Sequence, residues 1–276
     1  MVTMQAACFT CASVLFLAAC APAQTQVAKP PQSQAAGNLT PAQKAAIGRK
    51  IWQNESGGAV TGLTAWNAGE EFPSLGIGHF IWYPAGFKGR FSESWPQWVA
   101  YARQRGLQPP ALAMERHCPW NSRSEFQRDF NSARMIELRN WLAGHVEVQT
   151  DYIIARSRAA LPKILAAAPA SEKSRIEANY RKVATTPQGT YALIDYVNFK
   201  GDGTQTAERY QGRGWGLLQV LGGMKEVPTG APAATEFAAS AKRILSRRIA
   251  DSPLARGERQ WEEGWHNRCS TYARPL

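Results

Sequence analysis

Glu55 is followed directly by Ser56-Gly57-Gly58, which places its carboxyl group where a helix has to stop. The C-terminal end of a helix carries partial negative charge, and Trp52 stands close by in the sequence. Both surroundings favour the protonated carboxyl and predict a raised pKa, the property that a general acid needs. Glu70 and Glu71 follow in the next loop, where a second carboxylate could work against the first. The segment Ser74-Leu75-Gly76-Ile77-Gly78-His79 then sets glycines at alternating positions, a pattern that lets a strand pass close to another backbone or a ligand. His79, His117, His145 and His266 do not repeat at metal-ligand spacing, and Ser56 and Ser74 lack the G-x-S-x-G elbow of a serine nucleophile. The chemistry these residues suit is acid–base chemistry on carboxyl groups, with no metal and no cofactor.

The elements that must hold these residues are legible in outline. Thr40-Pro41-x-Gln43 has capping-box spacing with proline at the first helical position. Ala45, Ile47, Ile51 and Trp52 then predict a helix from about Pro41 to Asn54, stopped by Gly57-Gly58. Residues 59–91 carry glycine, proline and aromatics without a helical period, so loops and short strands are expected. Helical spacing returns at Met135, Leu138, Leu142 and Val146, and further helices are expected around 151–166, 171–184, 189–199 and 234–250. One helix, a small β-containing lobe and then many helices predict an α+β, mostly α domain over 40–276.

A helix ending in Glu, a loop, and a strand reading S-L-G-I-G-H resemble the phage-type lysozymes. That resemblance implies a lysozyme-like domain with a small β-lobe and a larger helical lobe. It casts Glu55 as the general acid, Ser74 as the hydroxyl residue beneath the cleft, and Gly76, Gly78 and His79 as the strand glycines and histidine. Ala68 falls at the family's aspartate position, so Glu70 or Glu71 would have to take over by a small loop shift. Leu193-Ile194-Asp195-Tyr196-Val197-Asn198-Phe199-Lys200-Gly201 is similar to the helix that enters an Asn-x-Gly turn, one residue longer here. Asp195 and Asp202 stand as fallback carboxylates, with Asp195 and Asn198 sharing a helix face. Glu55-Ser56 and Gly216-Leu217-Leu218-Gln219-Val220 also resemble lytic transglycosylases, which work with one catalytic Glu; this brings in Gln219 as a supporting residue. Residues 92–188 match neither pattern.

Ten tryptophans are many for this length, and flat aromatic faces stack well on sugar rings. Trp66, Trp82 and Trp215 lie in the glycine-rich segments expected to line the cleft, beside Tyr83, whereas Trp261 and Trp265 read as core packing. Arg209 and Arg213 flank Tyr210 and read as solvated arginines or as contacts to substrate carboxylates.

The 276 residues hold 44% hydrophobic and 19% charged residues, which suits a globular chain and excludes a polytopic membrane protein or a coiled coil. The net charge of +11 predicts attraction to something anionic. Its scatter and the absence of any DNA or RNA motif exclude nucleic acid as the partner. The apolar run from Val14 is too short to span a bilayer and runs into Leu17-Ala18-Ala19-Cys20, which resembles the lipobox of bacterial lipoproteins. Residues 1–19 are then a signal peptide without Lys or Arg, Cys20 the lipidated residue, and 20–39 a flexible Ala/Gln/Pro-rich tether. Loss of the signal removes Cys8 and Cys11. Cys118 and Cys269 remain, and an oxidising periplasm predicts a disulfide between them. The rival reading is a zinc site built with His117 and His266.

Together these features predict a monomeric, periplasmic protein, tied to the outer or cytoplasmic membrane through Cys20. It would cleave peptidoglycan glycan strands as a muramidase-type glycosidase, with Glu55 as acid. Two alternatives stand beside that: a lytic transglycosylase using Glu55 alone, and a non-catalytic wall-binding lipoprotein on the same fold.

Overall fold

The computed structural model describes residues 39–89 and 91–276. The signal peptide, Cys20 and the tether up to residue 38 lie outside the described residues. The first helix, α1 (Pro41–Ser56), begins on the expected capping box. The Thr40 hydroxyl accepts from the Gln43 backbone N–H at 3.2 Å, and the Gln43 side chain accepts from the Thr40 N–H at 2.8 Å. The helix buries Ile47 and Ile51, and ends at Gly57 in the left-handed conformation. It therefore runs one residue beyond Glu55, and Glu55 occupies its last turn.

A small antiparallel sheet follows, in the order β1 (Thr64–Ala65), β2 (Ser74–Leu75) and β3 (Phe80–Ile81), with Ser74 opposite both Ala65 and Ile81. The expected strand over 74–79 is much shorter. Residues 76–79 form a tight turn in which Gly76 (φ 72°) and His79 (φ 46°) both take the left-handed conformation. The His79 N–H closes the turn on the Gly76 carbonyl at 3.2 Å.

The rest of the described chain is mostly helical, as expected. In order come α2 (Trp95–Gln104), α3 (Arg123–Asp129), α4 (Ala133–Gly144), α5 (Val146–Arg158), α6 (Ala160–Ala167), α7 (Lys173–Val183) and α8 (Pro187–Lys200). The hairpin β4 (Arg209–Tyr210) and β5 (Arg213–Gly214) leads into α9 (Leu217–Gly222), α10 (Ala231–Asp251) and α11 (Glu262–Ser270). The helix expected over 151–166 is two helices, α5 and α6. Pro162 has no N–H for the Arg158 carbonyl and its ring would collide with that carbonyl, so one helix cannot run through. Helix α8 is buried on nearly every side, from Tyr191 to Val197, and packs against α1, α5, α7 and α10. A helix that is apolar all round belongs in the centre.

Two of the tryptophans expected to line the cleft are core. Trp82 is 0% exposed, with Trp95 and Trp120 rings at 5.5 and 6.0 Å, and Trp215 is 2% exposed, with the Tyr210 ring at 4.7 Å and the Arg248 guanidinium 4.1 Å from its own ring. Neither offers a face to a ligand. Trp261, expected in the core, is 41% exposed and tilts against half-buried Trp265. The expected disulfide is absent: Cys118 and Cys269 are both free and buried. Cys118 is held beside the β-lobe, its N–H donating to the Tyr83 carbonyl at 3.0 Å, while Cys269 sits in α11 against the helical lobe. Packing in different lobes, rather than compartment chemistry, decides that they do not pair. No group of three or more potential metal ligands occurs among the described residues, so the zinc alternative finds no cluster there.

Candidate active site

Four elements converge on Glu55: the last turn of α1, the 76–79 turn of the small lobe, α8 and the C-terminal helix α11. One carboxylate oxygen, Oε1, accepts from Arg268 Nη2 at 2.7 Å and from Asn198 Nδ2 at 3.2 Å. The other, Oε2, lies 3.4 Å from His79 Nδ1. Arg268 simultaneously grips Asp195 with two parallel bonds, Nε to Oδ2 and Nη2 to Oδ1, both 2.8 Å. Such a fork matches a carboxylate in plane as well as in charge. The Tyr272 hydroxyl donates to Asp195 Oδ2 at 2.6 Å, and Phe199 supports the guanidinium from 4.1 Å. Asp195 is fully buried, so it serves as the anchor of Arg268 and is out of reach of a substrate.

This network reverses the expected titration of Glu55. Burial alone would push its pKa up, as the sequence suggests. The Arg268 guanidinium, then His79 and the hydrogen bond from Arg268, outweigh burial and hold the carboxyl below the usual carboxylate range. Glu70 moves the other way. Its partial burial pushes the pKa up, the hydrogen bond from Asn67 and the charge of His79 oppose this, and the charge of Glu55 adds to the rise. His79 thus bears on both carboxyls, and of the two Glu70 is the one whose pKa is raised. Glu71 is exposed.

The supporting residues divide. The 76–79 turn is set from behind by Gln149 of α5, whose Oε1 accepts from the Ile77 N–H at 2.9 Å while its Nε2 donates to the Leu142 carbonyl at 2.7 Å. A Cβ on Gly76 would lie 2.3 Å from Gln149 Oε1, and one on Gly78 would lie 2.5 Å from the Phe80 ring. The two glycines therefore exist to seat the turn that presents His79. Ser74 is buried in the sheet. Gln219 is a brace: its Oε1 accepts from the Gly216 N–H at 2.9 Å and its Nε2 donates to the Gly203 carbonyl at 3.1 Å, which fixes two loops rather than a ligand. Arg213 is paired with Asp251.

Beside these residues is a cavity of about 520 Å³, walled by Trp66, Glu70, Glu71, Phe87, Asn121 and Arg123 among others. That volume lies in the range of small-ligand sites. Of the three tryptophans expected at a cleft, Trp66 alone reaches it. Two groups that shape the site had no visible signal in the sequence. Arg268 stands 213 positions from Glu55, and Arg123 lies in a stretch without any motif. Asp195 and Asn198 were legible as one polar helix face, though their joint service to Arg268 and Glu55 was not.

Comparison of the chain with protein-family models, with curated proteins and with solved structures yields no match.

Proposed function

We propose that this protein is a lysozyme-like glycosidase that cleaves the aminosugar glycan of the bacterial cell wall. The observation that carries the reading is a pair of carboxyls shifted in opposite directions: Glu55, whose pKa Arg268 and His79 lower against its burial, and Glu70, which lines the cavity and whose pKa burial raises. Two carboxyls whose surroundings drive their pKa values apart divide the work of acid and base. Glu70 gives its proton to the leaving glycosidic oxygen. Glu55, as carboxylate, stabilises the oxocarbenium charge or activates water. His79 and Arg268 set the charge of Glu55. This exchanges the roles that the resemblance implies, in which Glu55 is the acid. Lipidation at Cys20 would hold the enzyme in the periplasm beside its substrate, where the charge of +11 favours an anionic polymer.

A second reading, a wall-binding lipoprotein without catalysis, is supported by the full engagement of Glu55 Oε1 and its side-chain exposure of only 13%. Zymography on purified cell wall separates the two. Clearing by wild type, with losses of about 10²- to 10⁴-fold in Glu55→Gln and Glu70→Gln, is expected. Equal clearing by all three removes both carboxyls from the mechanism, and binding without clearing by wild type selects the second reading. Reducing ends on the released fragments mark hydrolysis, whereas anhydro ends mark a transglycosylase.

A further inference from the structure

The cavity is walled on one side by the small lobe and on the other by the segment around α3, part of the stretch 92–188 for which the sequence offers no role. That wall is fastened to the sheet. Arg139 of α4 donates from Nη1 to Thr64 Oγ1 at 3.3 Å and from Nη2 to the Phe130 carbonyl at 2.6 Å. Arg134 and the Trp120 indole N–H both donate to Asp129, at 2.8 and 2.9 Å. Arg123 Nε donates to the Trp66 carbonyl at 2.8 Å.

The last of these bonds differs from the others. Arg139 is buried and its terminal nitrogens are used, whereas Arg123 is exposed and lines the cavity. Its Nε is spent on Trp66, which fixes the plane of the guanidinium. Among the described residues its two terminal nitrogens make no hydrogen bond or ion pair. The Trp66 indole N–H is likewise spent, on the Glu70 carbonyl at 2.7 Å, so this tryptophan contributes ring and no donor. The cavity therefore holds an apolar surface chiefly from Phe87, since Trp66 is only 4% exposed, with hydrogen-bonding groups at Glu70, Glu71 and Asn121 and one cationic fork.

We infer that Arg123 is a specificity-determining residue that binds a carboxylate carried by the sugar in this cavity. A planar fork with free terminal donors matches a carboxylate in two parallel bonds. The two glutamates in the same cavity disfavour a dianionic group such as a phosphate monoester, so a monoanion fits the charge balance better. In a wall glycan the lactyl carboxyl is a free carboxylate only where no peptide is attached; where one is, that carboxyl is its amide link and the free carboxylates are the peptide's own. The inference rests on the wall-glycan reading above and narrows it to strands that keep these carboxylates.

The test uses the full chain as wild type, Arg123→Gln and Arg123→Lys. Each is titrated by calorimetry with glycan strands bearing free carboxylates and with the same strands after amidation, and KM and kcat are measured on both. Arg123→Gln is expected to weaken binding of the carboxylate strands roughly 10- to 100-fold, with the change in KM rather than kcat. Arg123→Lys should recover only part of this, since it keeps charge without the fork. On amidated strands all three proteins should bind alike. Equal binding of carboxylate strands by wild type and Arg123→Gln overturns the inference and leaves the glycosidase reading standing. Arg123-dependent binding without cleavage supports the inference and removes the glycosidase. A wild type that neither binds nor cleaves any wall strand overturns both.

Discussion

At the residue scale, the decisive fact is the charge of Glu55. Its position at a helix end, next to aromatic neighbours, argues for a proton donor. The guanidinium of Arg268 at 2.7 Å argues for a carboxylate, and together with His79 and Lys200 it outweighs burial. The pH profile tests the resulting division of labour. With Glu55 required ionised and Glu70 protonated, kcat/KM should fall on the acid side as Glu55 gains its proton and on the alkaline side as Glu70 loses its own. Replacing Arg268 by Gln removes what holds Glu55 down, so the Glu55 pKa rises and the acid limb moves to higher pH, narrowing the bell. Were Glu55 the acid, the same substitution would move the alkaline limb instead. The variant also leaves Asp195 buried without its ion-pair partner, a loss of about 3–5 kcal/mol that urea denaturation would read.

At the scale of the element, short-range rules were legible and their failures are instructive. The capping box at Thr40 set the start of α1, and glycine set its end, because both depend on a few neighbouring backbone groups. The alternating glycines suggested an extended strand. They instead build a turn, because Gln149 fills the space behind Gly76 and takes the Ile77 N–H as its ladder partner. A Gly76→Ala substitution should therefore cost about 1–2 kcal/mol for the left-handed backbone alone. It should also displace Gln149 and the turn that carries His79. A lowered urea midpoint together with a loss of cleavage is the expected result, and an unchanged midpoint would show that the turn tolerates a side chain. The tryptophan-rich helix α2 was legible in principle, since its buried residues Trp95, Trp98, Val99 and Ala102 stand at helical spacing with Pro96 in the first turn.

At the scale of the whole molecule, composition spoke to surroundings and left pairings undecided. Two cysteines and the expectation of an oxidising compartment suggested a bridge, yet both thiols are free and buried. Burial pushes both up to about 12, which keeps them as unreactive thiols near neutral pH. Thiol titration should accordingly find Cys118 and Cys269 unreactive in the native protein and both reactive in denaturant, with a Tm indifferent to reductant. A peptide map that joins the two segments would contradict this. The +11 charge and the lipobox resemblance bear on where the protein works and carry nothing about which carboxyl acts.

By itself the sequence determined the class of the fold, the start and stop of the first helix, the small lobe after it, and the choice of Glu55, Glu70 and His79 as the residues to watch. These follow from local propensity, capping and glycine placement, which act over a few residues. Only the tertiary structure decided that the Glu55 pKa is lowered and the Glu70 pKa raised. It also decided that Trp82 and Trp215 are core while Trp66 meets the cavity, and that Arg123 stands across from the glutamates. Protonation depends on the sum of burial and charges brought in from α8, α11 and the sheet, and burial depends on what packs against each ring. Neither sum can be taken along the chain, because burial is made by packing between distant segments and the largest opposing charge on Glu55, Arg268, comes from 213 residues away.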